Sequence, residues 1–229
     1  MKIHDLLNGQ STTTDTKSTA TVRNLIILDA SGSMQLIYSQ ALNGLNETLQ
    51  TIRQGEIDNP ELRQLVSLST FSSISHKKIY NNIIASQAHD ITSDQYRASG
   101  GTPLYDAIGR GIADIEAVKA PNDSVLVTII TDGEENCSRE FNGPQIKALI
   151  EAKRGQGWVF TYIGANQDVE KVAAELSIRH NLSFEASDQG ATDMWDHQNE
   201  SRRMFYRRLK KKLSNPFVDP TASDDDFEF

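Results

Sequence analysis

Hydrophobic and polar positions along the chain follow two alternating kinds of pattern. Mostly apolar runs at 22–28 and 124–130 are typical of short strands that are buried on both faces. Between such runs lie longer segments in which apolar residues recur every three or four positions, as in amphipathic helices. Strands that alternate with helices predict a parallel sheet that carries helices on both faces.

The individual elements can be assigned from these patterns. The predicted strands are 22–28, 65–71, 76–82, 124–133, 158–166 and 182–187. The predicted helices are 34–54, the latter part of 98–118, 143–157, 168–180 and 193–213. The third strand follows a turn at Ser72-Ser73, so we expect it to pair beside the second. The predicted fold is a doubly wound, Rossmann-like α/β fold, with about six mostly parallel strands and one antiparallel edge strand.

The first predicted helix carries a broad apolar face that we expect to be buried against the sheet. Its members are Leu36, Ile37, Leu42, Leu45, Leu49 and Ile52.

The chain divides into one domain and two flanking segments. Residues 1–20 are mostly polar and are predicted to be a flexible lead-in, and 21–214 hold all the periodic segments. Residues 215–229 contain two prolines, an acidic run and terminal aromatic residues, which favours a disordered tail. A domain of roughly 200 residues can bury about 70% of its unfolded surface and needs no disulfide to be stable.

Composition narrows the class of protein. The net charge of -8 argues against the whole domain being a nucleic-acid binder. Cys137 is the single cysteine, so an internal disulfide is excluded. The N-terminal sequence lacks the apolar run of a signal peptide, and no segment has the about 20 apolar residues of a membrane span. We therefore predict a cytoplasmic protein with no membrane association.

Two aspartates are predicted to meet at one edge of the sheet. Asp29 and Asp132 are predicted to end the first and the fourth strands, and doubly wound sheets usually place these two strands side by side. Two carboxylates in one cleft repel each other, which raises the pKa of one of them unless a cation lies between them. Topology alone therefore predicts that the two carboxylates lie close together.

Further oxygen donors accompany the two aspartates. Ser31 and Ser33 lie in the same turn as Asp29, and Thr102 follows Gly100-Gly101, where missing side chains allow close backbone approach. Each of these residues could instead cap a helix or form a turn, but independent caps need not converge at one crevice. An all-oxygen donor set favours magnesium, with manganese or calcium as alternatives.

These residues resemble the metal-ion-dependent adhesion site of von Willebrand factor A domains. The matching positions are Asp29, Ser31, Ser33, Thr102 and Asp132. The resemblance extends over 22–213, and the phrases "GGTPLYDAI", "TDGEEN" and "GWVFTYIGANQD" are similar to small intracellular bacterial and phage members of this family.

The resemblance implies how such a site works. The serine and threonine hydroxyls would bind the ion, and Asp29 and Asp132 would often act through water. An aspartate or glutamate of a partner protein would then complete the coordination shell. The implied function is a non-enzymatic, metal-dependent protein-binding adaptor.

An enzyme at the same cleft is the main alternative. A magnesium-dependent phosphoester hydrolase needs a base or a nucleophile near the ion. No histidine lies in a predicted metal loop, and no phosphate-binding loop motif is present. Glu134 and Glu135 follow Asp132, and we interpret them as an acidic rim or a helix N-terminal pair rather than as bases.

The final helix and the tail carry the remaining candidates. The helix has seven basic residues between 202 and 212. The simplest interpretation is a solvated charged face. The alternatives are a surface that binds a phosphate-rich partner such as nucleic acid, or a surface that binds the acidic tail of the chain. The tail could dock a partner, or its carboxylates could occupy a metal site and cause self-association. The predicted partner-contacting residues are Gly101, Glu134, Arg202, Arg203, Arg207, Arg208, Phe227 and Phe229.

Overall fold

The computed structural model describes residues 20–165, 169–184 and 188–215, together with Phe217 and Phe227. Apart from Ala20, the predicted lead-in lies outside the described residues, as do Phe229 and most of the predicted tail.

Strands and helices alternate as the sequence pattern predicts. The strands are β1 (Ala20–Asp29), β2 (Leu62–Ser72), β3 (Ser75–Ile84), β4 (Ser124–Thr131), β5 (Val159–Ala165) and β6 (His180–Phe184). The α-helices are α1 (Tyr38–Asp58), α2 (Leu104–Glu116), α3 (Gly143–Arg154), α4 (Val169–Glu175) and α5 (Asp188–Leu213). Two short 3-10 helices, Ser33–Ile37 and Ala85–Gln87, precede α1 and follow β3.

The strands form one sheet in the order β3-β2-β1-β4-β5-β6. All neighbouring pairs are parallel except β2 and β3, which are antiparallel. The predicted fold class, with one antiparallel edge strand and with the first strand beside the fourth, is therefore confirmed. The chain runs from β1 to one side of the sheet and resumes with β4 on the other, so the switch point lies between β1 and β4.

Each face of the sheet carries its own helices. Ile26 and Leu28 of β1 belong to a core that includes residues of α1 and α5, whereas Leu25 and Ile27 belong to a core with α2, α3 and α4. Because successive side chains of a strand point to opposite faces, a strand covered on both faces is largely apolar. This requirement explains the apolar run from Leu25 to Leu28 in β1.

Close packing fixes α5 against α1. A Cβ atom on Gly44 would lie 1.9 Å from the Trp195 ring, and one on Gly55 would lie 2.5 Å from the Tyr206 ring. The two glycines have the same sequence separation as the two aromatic residues, so the helices run in the same direction. Glycine at these two positions is what allows the aromatic rings of α5 to reach the backbone of α1.

The first predicted helix differs from the observed one at its beginning. Residues Ser33–Ile37 form a 3-10 helix rather than the first turn of α1, and Leu36 is 78% exposed. A 3-10 helix has three residues per turn instead of 3.6, so the apolar face predicted from α-helical spacing loses its phase there. The other five members of the predicted face are buried or half-buried.

Candidate metal centre

The predicted donors meet at the carboxyl edge of the sheet, where the parallel strands end. Leu28 of β1 pairs with Ile130 of β4, so Asp29 lies level with Thr131 and Asp132 follows one residue later on the adjacent strand. Asp29 is fully buried, and its carboxylate accepts hydrogen bonds from the Ser31 backbone N–H and from Thr131 Oγ1, each at 2.6 Å. Two donors therefore orient this carboxylate toward the crevice.

Hydroxyl groups connect the two aspartates. Ser31 Oγ lies 3.1 Å from Ser33 Oγ, and Ser33 Oγ donates a hydrogen bond of 2.7 Å to Asp132 Oδ1. Four of the five predicted donors thus form one continuous polar cluster.

The fifth donor, Thr102, reaches the same point from a different loop. A Cβ atom on Gly133 would lie 3.1 Å from Thr102 Oγ1, 3.2 Å from Ser33 Oγ and 3.9 Å from Asp29 Oδ2. Three oxygens, two from the end of β1 and its following loop and one from the loop before α2, therefore surround the space beside Gly133. A side chain at this position would crowd those oxygens, so glycine here keeps the crevice open.

Backbone hydrogen bonds hold the first loop, which follows β1, against the second loop, which precedes α2. The Gly32 N–H donates to the Gly100 carbonyl at 2.8 Å, and the Ser99 N–H donates to the Ala30 carbonyl at 2.8 Å. Gly100 has φ +88°, a left-handed conformation that side chains disfavour. The buried Tyr96 hydroxyl also donates to the Asp29 carbonyl at 2.8 Å. Loop geometry therefore favours glycine at position 100.

The third loop, between β4 and α3, clamps Thr102 from the other side. The Thr102 N–H donates to Asn136 Oδ1 at 2.9 Å, and the Asn136 N–H donates back to the Thr102 carbonyl at 3.1 Å. A Cβ atom on Gly101 would lie 2.8 Å from Asn136 Oδ1, so this glycine allows that approach. Gly101 therefore permits close packing of the two loops, and its predicted contact with a partner stays a prediction.

Two acidic residues brace the third loop: Glu135, which was interpreted as part of an acidic rim or a helix N-terminal pair, and Asp106, which sequence reasoning missed. The Glu135 carboxylate accepts from the backbone N–H groups of Tyr105, Cys137 and Ser138. The Asp106 carboxylate accepts from three further backbone N–H groups, those of Arg139, Glu140 and Phe141. The one available signal was that both are acidic residues beside a predicted helix start or turn, where carboxylates cap backbone N–H groups.

Electrostatics at the site favour a bound cation. Burial raises the pKa of Asp29 to about 6, against which the hydrogen bonds from Thr131 and Ser31 act, and burial also raises the pKa of Asp132. No described basic side chain forms an ion pair with either aspartate. A buried carboxylate that is not paired with a positive charge lowers the stability of the fold, and a bound divalent cation would offset that cost.

The donor set fits a hard divalent ion. The described residues contain no cluster of three or more His, Cys, Asp or Glu side chains, so a zinc-type site is not formed among them. Two carboxylates and three hydroxyls instead provide hard oxygen donors, which magnesium, manganese and calcium prefer.

Removing the buried charge is expected to reveal its cost in the metal-free protein. Folding raises the pKa of Asp29, so the folded protein favours the protonated carboxyl group. The contribution of this group to the free energy of unfolding is therefore complete below about pH 4 and is lost as pH rises through about 6. Without metal, we expect the free energy of unfolding of the wild type, relative to Asp29→Asn, to fall by on the order of 3 kcal/mol across that range. Urea unfolding of both proteins in EDTA from pH 4 to pH 7 measures this difference, and a constant difference would contradict the prediction.

The fold and this crevice together define a class of protein. The family model of the von Willebrand factor type A (VWA) domain matches residues 25–197, so the chain belongs to the VWA family. Members of this family are generally protein-interaction modules. Among curated proteins, none matches the sequence significantly.

Solved structures with the same fold come from several kinds of protein. The pilus adhesin SpaC from Lactobacillus rhamnosus GG has a TM-score of 0.62 and 15% identity over 82% of this chain, but the chain spans 30% of the adhesin. A von Willebrand factor type A protein from Catenulispora acidiphila has a TM-score of 0.54 and 14% identity, covering 85% of this chain and 43% of that one. The SpRpn10 VWA domain has a TM-score of 0.54 and 15% identity, and the match covers 78% of this chain and 95% of that domain. At these identities the likeness establishes the fold alone.

Within the described residues, no helix is both long and apolar enough to cross a bilayer.

The predicted basic face of α5 is split by burial. Arg202 is 1% exposed, and it donates hydrogen bonds to Asn24 Oδ1 at 2.7 Å and Thr128 Oγ1 at 2.9 Å. It therefore lies between α5 and the sheet, where a partner cannot contact it in this conformation. Arg203 and Arg207 are exposed, and both pair with Glu200 of the same helix.

The other predicted contact residues lie at opposite ends of the domain. Glu134 is exposed beside the metal crevice, whereas half-buried Arg208 lies near the end of α5. Phe227 is 1% exposed and belongs to a core cluster with Val22 and Leu62, at the amino edge of the sheet.

Phe227 therefore lies far from the metal crevice. Its ring is 6.0 Å from that of Phe205 and 5.4 Å from that of His180, measured between centroids. Val22 and Asp29 are separated along β1 by roughly 23 Å at the rise of an extended strand. Self-association through the tail stays a prediction.

Proposed function

We propose that this VWA domain is a non-enzymatic protein-binding module that uses a divalent cation, most simply Mg²⁺, to bind an acidic residue of a partner. Mn²⁺ and Ca²⁺ are the alternatives, because the oxygen donors suit all three ions. The observation that carries the proposal is the convergence of Asp29, Ser31, Ser33, Thr102 and Asp132 in one crevice.

The residues of the crevice would share the work of holding the ion. Ser31, Ser33 and Thr102 offer neutral oxygens, and Asp29 and Asp132 offer the negative charge. When bound, the ion supplies an open coordination position that attracts a carboxylate. If Asp29 and Asp132 act through water, the oxygens that touch the ion directly are the three neutral hydroxyls, which strengthens the attraction of the ion for an acidic side chain from outside.

The surroundings of the crevice support binding over catalysis. A hydrolase needs a base that is available to activate water. The Glu135 carboxylate already accepts hydrogen bonds from three backbone N–H groups and from Ser138 Oγ, so its lone pairs are engaged in holding the third loop. Its position favours a structural role. The predicted cytoplasmic location is retained as part of this proposal.

Affinity capture with matched variants tests the proposed function. Thr102→Val removes the hydroxyl and keeps the β-branched shape, and Asp58→Ala removes an exposed carboxylate at the distant end of α1. We expect partners that bind the wild type and Asp58→Ala in Mg²⁺ to be lost with Thr102→Val and with EDTA. Mass spectrometry identifies them, and partners that are retained under all four conditions contradict the proposal.

A further inference from the structure

Two large apolar side chains are exposed around the candidate metal crevice. Leu36 is 78% exposed in the 3-10 helix that follows Ser33, and Ile74 is 71% exposed in the turn between β2 and β3. Ile74 lies against the second loop, because a Cβ atom on Gly100 would be 3.3 Å from its Cγ1 atom. Exposed apolar side chains beside a binding site are typical of a contact surface.

A groove adjoins the crevice on the same side as Ile74. This hairpin groove, of about 240 Å³, is lined by Ala30, Ser99, Thr70, Ile74, Lys77 and Arg97. Ala30 is the residue directly after Asp29, and it is held by hydrogen bonds to Phe71 and Ser99. The hairpin groove is therefore continuous with the metal loop, and a chain segment that reaches the ion can extend into it.

The charge of the hairpin groove is positive and uncompensated. Lys77 and Arg97 are both exposed, and neither forms an ion pair with a described residue. They lie beside the crevice in a chain whose net charge is -8. They favour acidic groups in whatever occupies the groove.

The opposite side of the crevice has a different character. A second groove of about 190 Å³, which we call the α4 groove, is lined by Tyr105, Glu134, Glu135, Lys171 and Glu175, among others. Glu134 and Glu175 are exposed. The α4 groove contains three carboxylates and one lysine, so it disfavours an additional acidic group from a partner. The two grooves therefore differ in sign across the crevice.

We infer that the partner segment extends from the ion into the hairpin groove and carries there a second acidic residue and an apolar residue. This inference rests on the proposed function, and it specifies the chemistry of the partner. The acidic side chains would pair with Lys77 and Arg97, and the apolar side chain would cover Ile74. Such rim charges set specificity and association rate, and the apolar contact adds buried area.

A peptide array with the full-length protein tests the inference. The peptides have a fixed central aspartate with acidic, basic, apolar or neutral residues on either side, and binding is measured in Mg²⁺ and in EDTA. We expect EDTA-sensitive binding that favours peptides with acidic and apolar residues on one side. The double variant Lys77→Glu/Arg97→Glu is expected to weaken those peptides at least about 10-fold and to favour basic ones. The matched control is Lys211→Glu, an exposed charge reversal near the end of α5.

The outcomes separate the inference from the proposed function. EDTA-sensitive binding with the same residue preference in wild type and in the double variant overturns the inference alone. Peptide binding that is absent, or that EDTA does not affect, contradicts the proposed function and the inference with it. An unchanged Mg²⁺-dependent increase in melting temperature shows that the double variant keeps its fold and its ion.

Discussion

Asp29→Asn is expected to abolish the stabilisation of this protein by Mg²⁺ while leaving the metal-free domain folded. Asparagine preserves the shape of the side chain and one oxygen, but it removes the fully buried negative charge at the end of β1. Loss of an outer-shell partner typically lowers metal affinity by about 10–100-fold, and loss of a charged donor is expected to exceed that. The Thr131 hydroxyl, which donates to Asp29 Oδ2, can rotate to accept from the new amide.

Isothermal titration with Mg²⁺, together with thermal unfolding with and without the ion, measures this loss. A protein that binds an ion only when folded melts at a higher temperature as the ion concentration rises. The matched control is Asp58→Asn, an exposed aspartate at the end of α1. Equal shifts in melting temperature for the wild type and for Asp29→Asn would refute a metal centre at this position.

Phe227→Ala is expected to destabilise the domain by about 2–3 kcal/mol, the cost of exposing one buried aromatic side chain. The ring is 1% exposed between Phe205 and His180, beside the first residues of the central strands. Removing it opens the amino edge of the core that α5 covers. Phe217→Ala is a matched control in the same segment, because Phe217 is 95% exposed.

Equilibrium urea unfolding distinguishes the two phenylalanines. We expect Phe217→Ala to remain within about 0.5 kcal/mol of the wild type, as is usual for surface substitutions. If both variants lose the same stability, or neither loses any, Phe227 does not anchor the C-terminal segment in solution. Near-ultraviolet circular dichroism in the Trp region reports whether α5, which carries Trp195, keeps its packing.

Most of the architecture could be predicted from the sequence because its strands are buried on both faces. Such strands are continuous apolar runs, and their alternation with amphipathic helices leaves few topologies available. The candidate donors could be predicted for the same reason: polar residues at the ends of β1 and β4 must meet where parallel strands end together. The local pattern of oxygens in "LDASGSM" and "TDG" therefore carried information about a three-dimensional site.

The environments of several individual side chains were decided by the tertiary structure, because local periodicity does not indicate which distant residues a side chain contacts. Arg202 has the appearance of a surface charge within a basic run, but Asn24 and Thr128 provide acceptors for it beneath α5. Leu36 follows helical spacing and is nevertheless exposed, because a 3-10 turn rotates it out of phase. Phe227 lies in an acidic tail, yet a gap at the amino edge of the sheet accommodates it. Each of these outcomes depends on contacts between residues distant in sequence, so only the folded chain determines them.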